Sequence, residues 1–200
     1  MSINIYEIHI QTDRLDKVKD YLVSWLNHTY EEELVVENGQ DSSFSFFNHM
    51  TPQLFAVSIL HQNWITILHD SYEPPLELAN KLSSTFSSTV IQAMGQSTID
   101  TYYLSVHQEG TMIRKIHCGE DTIGIEQEGN PFPFEKSLSQ NNDEDHFFDY
   151  EDMSDFCENF RIDLLMDPAE KDGQWTFIKV KEKTVQNKET FFKKLSKYFT

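Results

Sequence analysis

The chain has 200 residues, with 16 Lys plus Arg against 33 Asp plus Glu and a formal net charge of −17. That balance repels phosphates and anionic headgroups, so it argues against nucleic acid and membrane surfaces as partners. With 38% apolar and 13% aromatic residues the chain can still build a core, which excludes an acidic disordered polymer.

Ile3 to Ile10 is rich in Ile and Tyr and reads as a strand. Thr12 and Asp13 offer an N-cap, and Leu15, Val18, Leu22, Trp25 and Leu26 follow at helical spacing, predicting a helix from Asp13 to about His28. Leu34 to Glu37 reads as a short strand ending at the turn Asn38-Gly39, and Phe44 to Phe47 and Phe55 to Leu60 as two more, separated by Thr51-Pro52. The pattern then restarts. Trp64 to Leu68 is a β-prone run, and Pro74-Pro75 suits the opening of a helix whose face is Leu78, Leu82 and Phe86 and which ends near Ser88. Val90 to Ala93 is a short strand. Thr101 to Gln108 and Thr111 to Cys118 form a hairpin about Glu109-Gly110. Its expected register sets His107 opposite Met112, Leu104 opposite Lys115 and Tyr102 opposite His117, with Tyr102, Leu104 and Val106 pointing into the core.

Residues 119–135 read as a connector punctuated by Gly119, Gly124 and Gly129, with Pro131-Phe132-Pro133-Phe134 extended and its two Phe residues fastening it to the domain body. Residues 137–146 read as a polar loop. Eleven acids against Arg161 alone fill Asn141 to Glu170, and eight lysines against three acids fill Lys171 to Thr200. Within them, Met153, Phe156, Cys157 and Phe160 have helical spacing, Trp175 to Lys181 alternates as a strand, and Asn187 to Tyr198 reads as a final helix.

The expected fold is α+β: mostly antiparallel sheet with helices packed on one side. Residues 1–135 form the main domain, with similar strand–helix–strand–strand–strand units over 3–60 and 64–118. Residues 136–200 form an acidic-then-basic C-terminal extension. No apolar run approaches the ~18 residues of a membrane span, no signal peptide opens the chain, and two cysteines make no disulfide framework. The expected location is cytoplasmic, where the Asn27-His28-Thr29 sequon carries no meaning.

No signature of catalysis stands out. The densest metal-ligating set is His117, Cys118, Glu120 and Asp121, but neighbouring strand residues point to opposite faces. Asn141, Asp143 and Asp145 match the first ligand positions of a calcium loop, but His146 stands where Gly is needed and Asp152 where a bidentate Glu is usual. Cys157 lies on an apolar stripe among carboxylates, which disfavours a thiolate, and Cys118 ends a strand. Neither the nucleophile elbow nor a phosphate-cradling Gly loop occurs, so no cofactor and no metal are expected.

Three readings remain. An acidic face of Asp149, Glu151, Asp152, Asp155 and Glu158 would steer in a basic protein partner. Alternatively, His69, Asp70, Tyr102, Tyr103, His107 and Arg114, around strand ends of the second unit, would line the pocket of a small-molecule enzyme or ligand-binding protein. Third, the hairpin edge or the basic final helix would pair with a second copy, making a homodimer instead of a monomer. The Trp64-led strand, Leu78-x-x-x-Leu82-Ser83, the short strand after it, then Asp100-Thr101-Tyr102-Tyr103-Leu104, Gly110 and Arg114 give residues 55–165 a pattern. That pattern resembles a group of uncharacterised bacterial α+β proteins, some of them similar to toxin-immunity partners. The resemblance implies a small acidic cytosolic binder and carries no functional residues with it, and the lack of a catalytic motif leans the reading away from an enzyme.

Overall fold

The computed structural model describes residues 3–39, 49–119, 122–135, 147–165 and 174–181. The elements in order are β1 (Asn4–Gln11), α1 (Leu15–Tyr30), β2 (Leu34–Gly39), β3 (Leu54–His61), β4 (Trp64–His69), α2 (Leu76–Phe86), β5 (Val90–Gln96), β6 (Thr101–Gln108), β7 (Thr111–Cys118), β8 (Glu126–Gly129), α3 (Tyr150–Glu158) and β9 (Trp175–Val180). The strands form one nine-stranded sheet in the order β2-β9-β3-β4-β1-β5-β6-β7-β8. Every pairing in it is antiparallel. The predicted strand at Phe44 to Phe47, the loop 137–146 and the helix Asn187 to Tyr198 lie outside the described residues.

Strand alternation divides the apolar side chains between two faces. Ile8 and Ile10 of β1, Ile65 and Ile67 of β4, and Phe55 and Val57 of β3 pack with Val18, Leu22 and Leu26 of α1 and Leu78, Leu82 and Phe86 of α2. Ile5, Trp64, Ile91, Tyr102, Leu104 and Ile116 turn the other way and meet Met153, Phe156 and Cys157 of α3. The expectation of helices on one side is therefore corrected. α1 and α2 share a face, but the sheet is apolar on both, and α3 covers the second with its own stripe. Each buried Met, Leu or Phe there contributes about 1.5–3 kcal/mol.

The predicted units 3–60 and 64–118 do not sit side by side. β1 lies between β4 and β5, and β4 lies between β1 and β3. The crossover β4–α2–β5 thus straddles β1, a split βαβ connection, while β1–α1–β2 passes over β4, β3 and β9.

The hairpin turn falls at Glu109-Gly110, with φ of 50° and 78°, the left-handed pair that a two-residue turn requires. The ladder keeps His107 opposite Met112, but a bulge then shifts it. Leu104 faces Ile116, Tyr102 faces Cys118 and Tyr103 faces His117. The extra residue, Ile113, has no partner in the ladder. The expected connector also contains β8, all four of whose residues are exposed. It is held by its ladder to β7 and by Lys115, whose Nζ lies 2.9 Å from Glu128 and 3.5 Å from Glu126. β9, from far along the chain, is inserted between β2 and β3. Lys179 pairs there with Glu37, and Lys181 pairs with Glu33 at 2.7 Å.

Candidate functional site

α3 starts at a complete capping box. The Asp149 carboxylate accepts from the N–H groups of Glu151 (2.8 Å) and Asp152 (3.2 Å), and the Asp152 carboxylate accepts from the Asp149 N–H at 3.3 Å. Acids in the first turn also suit the positive end of the helix. From that start, Asp152, Asp155 and Glu158 recur three apart and lie along one slanted face. They rim a cleft of about 500 Å³ whose walls include Ile116, Phe134, Phe148 and Phe156.

Glu135 also lines this cleft. Its carboxylate accepts from Arg114 Nε at 3.0 and 3.1 Å and from Arg114 Nη2 at 2.6 Å, and it also takes the Phe132 N–H at 2.8 Å. Arg114 is 2% exposed and donates further to Gln127 Oε1 (2.6 Å) and the Glu128 carbonyl (3.2 Å). The pair therefore locks β8 and the 131–135 turn onto β7. Phe132 and Phe134 stack at 5.3 Å and meet Phe156 edge-on at 5.7 and 5.2 Å, which fastens the turn to α3.

The six residues predicted to line a pocket do not converge. Tyr102 and Arg114 point to the α3 face, while His69, Tyr103 and His107 point to the α1–α2 face, because strand parity separates them. Asp70 accepts from the N–H groups of Gln53 (2.9 Å) and Leu54 (3.1 Å), so it fixes the start of β3, and burial pushes its carboxyl up. His69 is fully buried, with Nδ1 2.9 Å from Ser71 Oγ, and burial pulls its imidazole down to about 3. His107 has Nε2 2.8 Å from Ser105 Oγ and Nδ1 2.6 Å from Asn80 Oδ1. That is the spacing of a nucleophile–base–orienter set. Yet Ser105 and His107 are both 0% exposed beneath α2, and burial holds the imidazole at about 4. The network joins β6 to α2 and offers a substrate no access.

A second buried polar cluster lies on the α3 face of β1. Glu7 accepts from the Leu165 N–H at 2.7 Å, and His9 Nδ1 is 3.2 Å from Thr66 Oγ1. Glu7 Oε2 and His9 Nε2 are 3.0 Å apart but off-line, so neither makes a directed hydrogen bond. Among the described residues no group of three or more His, Cys, Asp or Glu side chains converges as a metal site. Cys118 and Cys157 are buried, and burial raises both thiols.

The α1–α2 face carries one more feature that sequence reasoning missed. Tyr6 faces Met94, Met94 faces Tyr103 and Tyr103 faces His117 across four adjacent strands. This row floors a cavity of about 600 Å³ beside the chain leading into α2. Of the predicted residues only Tyr103 belongs to it.

Comparison with known proteins finds no match to the chain: no family model, no curated protein and no solved structure is similar enough to show a family. Among the described residues no helix is long and apolar enough to cross a membrane.

Proposed function

We propose that the protein is a binding module for a basic protein partner, in the manner of an immunity protein, and that the partner docks on α3. The observation that carries this reading is the α3 cleft, where carboxylates rim apolar walls. A Lys or Arg side chain matches both parts, with an aliphatic stem against Phe134, Phe148 and Phe156 and a cationic head at Asp155 and Glu158. The sequence from Asp149 to Glu158 contains five acids and no Lys or Arg, and the whole chain carries −17. That field speeds the encounter with a positive surface. The roles within the predicted acidic set divide. Asp149 and Asp152 build the helix cap, and Asp155 and Glu158 face the partner from exposed positions.

The test is binding of labelled Lys/Arg-rich peptides and cationic proteins by the native protein and by Asp155→Asn/Glu158→Gln. Both substitutions sit outside the cap and keep the helix intact. Native binding should weaken steeply with salt, and the variant should associate severalfold more slowly at low salt. Equal association by both proteins at low salt removes the cleft as the docking site.

A further inference from the structure

The cavity on the α1–α2 face lies on the opposite side of the sheet from the α3 cleft. Its floor is the cross-strand row Tyr6, Met94, Tyr103 and His117, to which Met112 adds a second thioether. Tyr6 and Tyr103 are 3% and 5% exposed, and Tyr103 meets His117 edge-on at 5.6 Å between centroids. Burial raises both phenols, so the rings stay neutral and electron-rich at physiological pH. The mouth carries three large apolar side chains open to solvent, Tyr72 (46%), Leu76 (40%) and Ile99 (46%). A volume of about 600 Å³ is that of a small-molecule site.

The charges lining the cavity set the class of ligand. Among the described lining residues the carboxylates of Glu73 and Glu128 oppose one permanent cation, Lys115, and the His117 imidazole lies 3.9 Å from the Glu126 carboxylate. The Lys115 ammonium is already held by Glu128 at 2.9 Å and Glu126 at 3.5 Å. An anionic ligand would have to displace those carboxylates, whereas a cation meets aromatic rings, soft sulfurs and a net negative wall. Aromatic π-faces attract ammonium groups, most strongly when the cation is weakly hydrated. We infer that this cavity is a binding site for a small organic cation, an ammonium with an apolar or aromatic body, independent of the partner surface on α3.

The test uses the full chain with ¹³C-labelled methionine methyls, titrated with benzyltrimethylammonium, benzyl alcohol and benzoate. The cation should shift the Met94 and Met112 methyl signals and bind at least about tenfold more tightly than either control. Tyr72→Ala, at an exposed position, should weaken it about fivefold and leave the methyl spectrum of the free protein native-like. Glu128→Gln should also weaken it, by loosening Lys115 and removing negative charge. Equal or tighter binding of benzoate or benzyl alcohol overturns the assignment, as does an absence of methyl shifts up to about 10 mM of the cation. Because the readout lies across the sheet from Asp155 and Glu158, failure here leaves the α3 reading untouched.

Discussion

Moving the protein from pH 7 to pH 5 should remove about 4 kcal/mol of stability through two imidazoles that the fold keeps neutral. His69 and His107 are fully buried and have folded-state values of about 3 and about 4, against 6.5 in the unfolded chain. Each value is depressed, so the unfolded chain takes up protons as the pH falls through 6.5 while the native state does not. Stability is therefore complete above that point and is lost below it, down to the folded values. Each unit is worth about 1.4 kcal/mol, so each imidazole loses about 2 kcal/mol by pH 5. Asp70 acts in the opposite sense, since its carboxyl is raised and its protonation returns some stability at the acid end. Urea unfolding at pH 7 and pH 5 measures the loss as a fall in midpoint of about 2 M, for a slope of about 2 kcal/mol/M. His107→Gln, which retains a polar partner for Ser105 and Asn80, should reduce the pH-dependent loss by about 2 kcal/mol, or about half. An unchanged loss in that variant refutes the assignment of the imidazole as a buried neutral group.

Glu135→Ala leaves Arg114 buried without its carboxylate and should cost about 3–5 kcal/mol by chemical denaturation, whereas the joint replacement Arg114→Met/Glu135→Leu should cost clearly less. Gly129→Ala should destabilise by at least about 2 kcal/mol, because φ is 78° and the added Cβ would lie 2.0 Å from the Ile113 carbonyl oxygen; thermal melting reads it. Asp149→Ala removes the cap of α3 and should cost about 1 kcal/mol. The same change at exposed Glu151, outside the capping pair, should stay within about 0.5 kcal/mol in the same assay.

Local signals made much of the fold legible. Glu109-Gly110 marked the hairpin and Leu78, Leu82 and Phe86 marked α2, because turn chemistry and helical periodicity are written in contiguous residues. The bulge at Ile113 left no such mark, so the expected register slipped for Leu104 and Tyr102 while that of His107 held. β8 was illegible because Glu126 to Gly129 has no buried side chain, and only a partner strand makes it a strand. The acids of α3 were visible as charge, but Asp149 and Asp155 look alike until the helix start assigns one to a cap and the other to a cleft. The cavity floor was beyond reach. Residues 6, 94, 103 and 117 meet only because β1, β5, β6 and β7 are neighbours, and neighbours in a sheet are a long-range property.

The insertion of β9 has a consequence for the order of events during synthesis. β2 and β3 both pair with residues 175–180, and among the described residues β2 has no other strand beside it. Until those residues leave the ribosome, the inner edge of β3 and the edge of β2 that takes β9 present unpaired amides and carbonyls, the kind of surface that recruits foreign strands. The nascent chain can settle β1, β4, β5, β6 and β7 early, but it completes its sheet last and at long range, which slows folding and lengthens exposure to aggregation and chaperones. A chain halted before Trp175 should therefore be aggregation-prone although most of its described strands and all three described helices have been made.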